Sequence, residues 1–259
     1  MLRLYRYFLD GVPEYLARYY WWAYLWSKTV WFFDHQLIIN AILFGQYNSL
    51  MHITLSRLQQ ASPERVLQLT CVYGSLTPNI MQLAKFSSLH LTDVAPIQLS
   101  LAQGKVTDKS RLLVSRMNAE QLGYKSDSFS TIVLFFLLHE MPHEARCHTL
   151  SECMRVLKPG GSLIVTEYGA LPEKHILYRF PLTRWIITRL EPFLDSFWRE
   201  DMEQLLNRVA APFNKKVQLS SHTALFYAFY RVSEFRLAPR DASDDLESME
   251  SRINGVGLD

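Results

Sequence analysis

The sequence predicts an α/β fold on a mostly parallel, doubly wound sheet, and three observations lead there. From residue 65 onward, short apolar runs alternate with segments of helical periodicity. Residues 131–138, Thr-Ile-Val-Leu-Phe-Phe-Leu-Leu, have the composition of a strand buried on both faces, as parallel strands are. A chain of 259 residues, 49% hydrophobic and 20% charged, suffices for one sizeable core with extensions.

Residues 1–60 read as helical. Within 35–56, which has no Asp, Glu, Lys or Arg, Leu37, Ala41 and Phe44 share a helical face with Ile38 and Ile42 adjacent. Gln36, Asn40, Gln46, Asn48, His52 and Thr54 interrupt it, so a buried helix is expected, not a transmembrane helix, which needs about 18 or more mainly apolar residues. Ala61-Ser62-Pro63 breaks the pattern. A strand follows at 66–69, then a helix with Thr77 as N-cap and Pro78 at its first position. A second strand at 89–92 ends at Asp93, and a helix over 96–103 stops at Gly104. Strands at 111–114 and 131–138 precede a helix over 143–157, ended by Lys158-Pro159-Gly160-Gly161, and a fifth strand at 162–167. Ligands of such sheets bind beyond the carboxyl ends of the strands, which places loops 70–76, 93–96, 116–120 and 139–142 around one crevice.

Residues 172–209 form a helical cap divided by Pro181 and Pro192, with Trp185, Ile186, Leu190, Phe193, Leu194 and Phe197 as its apolar face. Strands at 217–221 and 224–235 close the sheet. Residues 239–259, with six acids and few apolar side chains, are expected to be disordered. The organisation expected is a helical extension over 1–60, a main domain over 61–238 with its cap at 172–209, and the acidic tail.

A formal charge of +2 without a basic cluster gives no reason to expect a nucleic-acid partner. Three cysteines without a C-x-x-C pair argue against a disulfide framework and point to a reducing compartment. No signal peptide is visible at the amino terminus. Fifteen of the 34 aromatic residues fall within the first 47 positions, most densely at 19–26. Two readings of that patch stand: a membrane interface or hydrophobic ligand groove, and an unusually aromatic helical core.

Residues 66–77, Val-Leu-Gln-Leu-Thr-Cys-Val-Tyr-Gly-Ser-Leu-Thr, lie between strand and helix where a nucleotide-binding loop belongs, yet only Gly74 supplies a glycine. Met117-Asn118-Ala119-Glu120 follows the third strand, and Arg155-Val156-Leu157-Lys158-Pro159-Gly160-Gly161 precedes the fifth. Together these resemble the quinone and small-molecule branch of class I S-adenosylmethionine-dependent methyltransferases over about residues 64–169, and more weakly to about 237. The resemblance implies a Rossmann-like seven-stranded sheet, mostly parallel with an antiparallel closing strand. It also implies cofactor contacts at Thr70, Cys71, Val72, Tyr73, Gly74, Asp93, Asn118 and Ala119.

This chain departs from the family pattern at several positions. The strand acid is Gln68, two loop glycines are Thr70 and Val72, and the adenine-side acid is Asn118, while Asp93 keeps the acid for the ribose hydroxyls. The run V-L-Q-L-T-C-V-Y-G with an aromatic amino-terminal extension resembles the rhodoquinone-biosynthesis proteins. That resemblance implies replacement of a ubiquinone methoxy group by an amino group from S-adenosylmethionine, with Mn2+ required. It further implies a polyprenyl quinone partner and peripheral contact with a membrane surface, the cytoplasmic face of a bacterial inner membrane or a mitochondrial inner membrane.

His139-Glu140-Met141-Pro142-His143 matches H-E-x-x-H, but a zinc protease needs that motif within a helix, and Pro142 interrupts it. His139 and Glu140 are instead expected in the loop after the fourth strand, as catalytic proton carriers or metal ligands, or simply as a hydrogen-bonded pair. Tyr73 is a third catalytic candidate, stacking on quinone or cofactor or donating to a quinone carbonyl, unless it only fills space left by the glycines. Glu167 either lines the crevice or pairs with an arginine, and Cys71 is a small buried side chain. The expected function is conversion of ubiquinone to rhodoquinone. The alternatives are a quinone C- or O-methyltransferase and a non-catalytic quinone- or lipid-binding scaffold.

Overall fold

Seven strands form one sheet in the order β3-β2-β1-β4-β5-β7-β6. The computed structural model describes residues 11–239 except Val72, Ala84, Lys85 and Lys174. Strands β1 (Arg65–Leu69), β2 (Ser88–Asp93), β3 (Leu112–Arg116), β4 (Phe129–Phe135) and β5 (Leu157–Tyr168) run parallel. The antiparallel pair β6 (Lys215–Leu225) and β7 (Tyr230–Pro239) closes the sheet against β5. The expected fold class holds: β7 runs against the other strands of the sheet, and β6 beside it returns to their direction.

Among the described residues, a π-helical turn at Leu16–Tyr20 and the helices α1 (Trp21–Tyr24), α2 (Ser27–Phe33), α3 (Gln36–Ile42) and α4 (Tyr47–Gln60) precede the sheet. The expected buried helix over 35–56 is therefore two helices, separated where Phe44 and Gly45 take φ of 50° and 78°. That break resets the helical phase. Ile39, Leu43 and Tyr47 are buried, whereas Leu37, Ala41 and Phe44, the expected apolar face, are exposed. No described helix is long and apolar enough to cross a membrane.

Helix α5 (Leu76–Gln82) starts one residue before Thr77, with Ser75 at the cap position. Thr77 is no cap: its hydroxyl donates 3.0 Å to Gln68 Oε1. Helix α6 (Pro96–Gly104) includes Gly104 and ends at Lys105. Strand β4 ends three residues earlier than expected, because Phe136 takes a φ of 55° and leads into a tight turn at Leu138–Glu140. Helix α7 (His143–Val156) gives way directly to β5, where Phe129 pairs with Leu157 but Thr131 with Ser162, so Pro159-Gly160-Gly161 bulges from the ladder.

Helices α8 (Ile176–Arg179), α9 (Pro181–Leu190), α10 (Leu194–Trp198) and α11 (Met202–Ala210) precede the closing strands. The last strand begins at Tyr230, not 224, because Phe226, Tyr227 and Ala228 all have positive φ and form the turn. That turn sits against Gly169, where a Cβ would collide with the Ala228 carbonyl. The main core lies around β1, β4 and β5, where Leu50, Leu58, Phe197 and Leu206 pack from the helices, and a smaller cluster gathers Cys71, Leu91, Leu99 and Ala102. The three cysteines remain free thiols. The acidic tail from 240 and Val72, an expected cofactor contact, lie outside the described residues.

Candidate active site

The chain leaves β1 through Thr70, whose φ of 70° is a left-handed conformation costly for a β-branched residue. Gln68 holds it there: its amide donates to the Thr70 carbonyl at 3.2 Å while its own oxygen accepts from Thr77. The glycine expected by resemblance is absent, yet the glycine-like backbone is kept. Asp93, at the end of β2, accepts from the amides of Cys71 and Ala95, both at 2.8 Å. Burial pushes the Asp93 carboxyl up to about 6, against the pull of those amides.

Gly74 has a φ of 85°, and a Cβ there would lie 2.7 Å from Tyr47 Cζ. Its amide donates 2.9 Å to Asp34 Oδ1, and its carbonyl accepts from Lys105 Nζ at 2.8 Å. Lys105 also pairs with Asp34, so one ion pair ties the first loop to the amino-terminal helices. The Tyr73 ring stacks on Tyr24 at 5.7 Å and 10°, its hydroxyl donating to the Ala23 carbonyl. Asn118 accepts from the Glu120 amide at 2.9 Å, shaping the turn after β3.

The second half of the site is built on His139. Its Nδ1 lies 2.8 Å from Glu167 Oε2, and Glu167, fully buried, also accepts from the Leu138 amide at 2.6 Å. In the neutral ring a carboxylate against Nδ1 places the proton on that nitrogen and leaves the Nε2 lone pair facing outward. Nε2 faces Glu140 Oε1 at 4.0 Å and Glu191 Oε2 at 3.9 Å. Burial disfavours charge on the ring, but Glu167, Glu191 and Glu140 together push it up to about 9. Burial and then Glu191 push Glu140 up to about 8, against the pull of His139 and the Tyr24 hydroxyl. Burial also raises Glu191, which accepts from the Tyr20 hydroxyl at 2.9 Å. Burial works against the Glu167 carboxylate too, yet His139 and the Leu138 amide hold it below the ordinary range.

One cavity of about 470 Å³ joins the two halves, within the size range of small-molecule sites. Of the residues expected from the sequence, Thr70, Cys71, Tyr73, Asp93, Asn118, Ala119, His139 and Glu140 line it, and Gly74 stands behind the loop. Tyr15, Tyr20 and Tyr24 cover it from the amino-terminal segment. Glu191 is a site residue that sequence reasoning missed. The available signal is that it is the sole acid between residues 174 and 194 in a segment of arginines and aromatics. Tyr20 and Tyr24 were hidden in the aromatic patch. Glu167, expected either to line the crevice or to pair with an arginine, is buried behind it and pairs with His139.

The second histidine of the H-E-x-x-H run points elsewhere: His143 Nδ1 lies 2.5 Å from Glu200. Among the described residues, the group able to hold a metal ion is His139, Glu140 and Glu191, with donor atoms within 4.8 Å of one another. One imidazole nitrogen with two carboxylate oxygens, backed by a buried carboxylate on the far ring nitrogen, suits a divalent first-row cation.

A parallel sheet of this order, closed by an antiparallel pair and carrying its crevice at the carboxyl ends of β1, β2 and β4, defines the Rossmann-like fold of class I methyltransferases. Residues 66–161 match the family model of the methyltransferase domain. A demethylmenaquinone methyltransferase from Lactiplantibacillus plantarum is 28% identical over 169 residues, 64% of this chain and 69% of that protein. A ubiquinone/menaquinone biosynthesis C-methyltransferase, UbiE, from Neisseria meningitidis is 25% identical over 140 residues. That match spans 53% of this chain and little more than half, 56%, of the relative. Among solved structures, the N-methyltransferase NodS from Bradyrhizobium japonicum superposes with a TM-score of 0.51 over 75% of this chain and 99% of that one. At 14% identity this is a likeness of fold.

Proposed function

We propose that the protein is an S-adenosylmethionine-dependent transferase whose acceptor is a polyprenyl benzoquinone drawn from a membrane. The observation that carries this reading is the single cavity lined both by the loop residues Thr70, Cys71, Tyr73, Asp93 and Asn118 and by the His139–Glu140–Glu191 cluster. Asp93 would accept from the ribose hydroxyls, Asn118 and Ala119 would border the adenine, and the Thr70–Gly74 loop would take the methionine half. The relatives' names support a quinone as acceptor.

The group transferred is, on this reading, the amino group, which displaces a ring methoxy group of ubiquinone and yields rhodoquinone. Two features of the chain favour it. Where the family has a strand acid, Gln68 is neutral and spent on Thr70 and Thr77, so that position supplies no counterion for the cofactor's ammonium. And raised carboxyl groups stand ready to move protons. In the displacement a ring carbon–nitrogen bond would form, the carbon–oxygen bond to methoxy would break, and methanol would leave; the bond from that nitrogen to the cofactor's α-carbon would then break by elimination, a β-carbon proton being lost and one gained by the nitrogen, so that the remaining fragment departs as an α,β-unsaturated acid. Glu140, through the carboxylate oxygen not on the metal, would take the proton that the attacking nitrogen sheds and pass it to the departing oxygen, while His139, held at Nδ1 by Glu167, would orient the cluster. His139, Glu140 and Glu191 would hold Mn2+, which supplies Lewis-acid polarisation of a quinone oxygen. Tyr73, stacked on Tyr24, would shape the wall against which the ring lies.

A second reading, methyl transfer to the quinone ring, is favoured by the names of the curated relatives. Mass spectrometry of the quinone after incubation with S-adenosylmethionine labelled in its amino nitrogen, with and without Mn2+, separates the two. A product lighter by the difference between methoxy and amino, carrying the label, is the expected result. With a demethylated quinol that keeps a free ring position as acceptor, a product heavier by one methylene, formed without metal, assigns methyl transfer. An unaltered quinone with demonstrable cofactor binding leaves a binding scaffold.

A further inference from the structure

Helix α9 is amphipathic in the wrong sense for a helix that packs on a core. Leu182, Trp185, Ile186 and Leu190 recur at helical spacing, yet they are 57%, 62%, 42% and 52% exposed, and no residue of the helix is buried. Across the cavity mouth the amino-terminal segment does the same with Trp21, Trp31 and Leu37, 50%, 64% and 84% exposed. The two segments meet at the cavity. Ile42 and Leu190 both line it while remaining half-exposed, and the Tyr19 ring stands edge-on to Phe193 at 5.4 Å. An exposed apolar surface bordering a cavity of this kind marks an interaction site.

Charge identifies the occupant. Residues 176–190 carry Arg179, Arg184 and Arg189 and no acid, and all three arginines are exposed. Arg18 and Lys28 stand exposed on the opposite segment. Tryptophans with one wet edge, aliphatic side chains directed outward and arginines among them are the composition of a helix lying in a lipid interface.

We propose that α9 and the amino-terminal segment 21–42 form one docking face for a bilayer containing anionic lipid, arranged around the cavity mouth between Ile42 and Leu190. A hydrophobic acceptor then passes from the acyl region to the cavity without crossing water, its tail remaining in the bilayer. The quinone reading supplies the purpose of this face; docking itself is read without turnover.

The test is flotation of the full-length protein with phosphatidylcholine vesicles, with and without phosphatidylglycerol, at low and high salt. Binding is expected to be about tenfold or more tighter to the anionic vesicles and to weaken with salt. Arg184→Glu with Arg189→Glu should lose most of that gain, and Leu182→Ser with Trp185→Ser should abolish flotation. Trp31→Ser probes the opposite segment independently, and unchanged circular dichroism and thermal midpoints establish that each variant is folded. Equal binding to both vesicle types, absence of flotation, or flotation retained by folded variants of both segments would overturn the proposal. So would a dimer in light scattering that the same substitutions dissociate, which would make the face a self-association surface. Turnover of detergent-dispersed quinone without vesicle binding sinks the docking face alone. Vesicle binding without turnover leaves it standing and removes the enzymatic reading.

Discussion

Glu140 and Glu191 come from segments about fifty residues apart and face the same imidazole nitrogen, so the orientation of His139 decides what both can do. That orientation rests on Glu167, which accepts from His139 Nδ1 and the Leu138 amide at once. In Glu167→Gln the amide oxygen can serve one donor while the amide nitrogen confronts the other. Turnover and Mn2+ affinity should each fall about 10- to 100-fold, with S-adenosylmethionine affinity little changed. Electron paramagnetic resonance titration of Mn2+ distinguishes this from a merely structural loss; unchanged metal affinity with reduced turnover would remove the positioning role. Asp93 gives a pH signature. Its folded-state carboxyl titrates at about 6 against an ordinary 3.8, so between those values the native state holds a proton that the unfolded chain has released. The associated stability is fully present below about pH 4 and lost as pH rises through 6, up to about 3 kcal/mol in all. Thermal midpoints of the wild type and Asp93→Asn from pH 4 to 7.5 should therefore show the wild type losing ground to the variant as pH rises. Parallel curves would mean that Asp93 does not titrate there.

At the scale of elements, what the sequence discloses depends on how many faces a segment buries. β1, β2 and β4 are buried nearly throughout, so their apolar runs stand out and their positions fall within a few residues of expectation. The crevice follows from their order alone, and Asp93, His139 and Glu140 sit at the strand ends that border it. The amino-terminal helices are different. Their phase resets at Phe44 and Gly45, and a positive φ on a phenylalanine leaves no mark in the sequence. A continuous helical wheel therefore selected Leu37, Ala41 and Phe44, the exposed side, over Ile39, Leu43 and Tyr47. Thr70 misleads in the same way: loss of a glycine suggests loss of the turn, whereas Gln68 holds the left-handed backbone through two hydrogen bonds. Glu191 could not be assigned because its partners, Tyr20 and His139, are 171 and 52 residues away and meet it only through the fold.

Across the whole molecule, the cover and the chemistry are one network. Tyr24 donates to Glu140, Tyr20 to Glu191 and Tyr73 to the Ala23 carbonyl, while Lys105 and Asp34 clasp the Gly74 loop. The amino-terminal segment is thus fastened by the same carboxylates that would carry protons or metal, and a ligand entering the cavity touches cover, loop and cluster together. Occupancy should then stabilise the protein as a unit. S-adenosylmethionine at a hundred times its Kd contributes about 2.7 kcal/mol, which for a domain of this size corresponds to a rise in thermal midpoint of about 5–10 °C. Tyr20→Phe with Tyr24→Phe removes two donors from buried carboxylates. It should lower the unliganded midpoint and speed proteolytic cleavage within residues 11–46, while leaving the increment from S-adenosylmethionine largely in place, since Asp93 and the Thr70–Gly74 loop are untouched. Limited proteolysis beside calorimetry reads both quantities. If the double variant is cleaved no faster than the wild type, the tyrosine–carboxylate bonds do not hold the cover. If its ligand increment vanishes as well, the cover contributes to the cofactor site itself, and the fold admits ligand only as a closed whole.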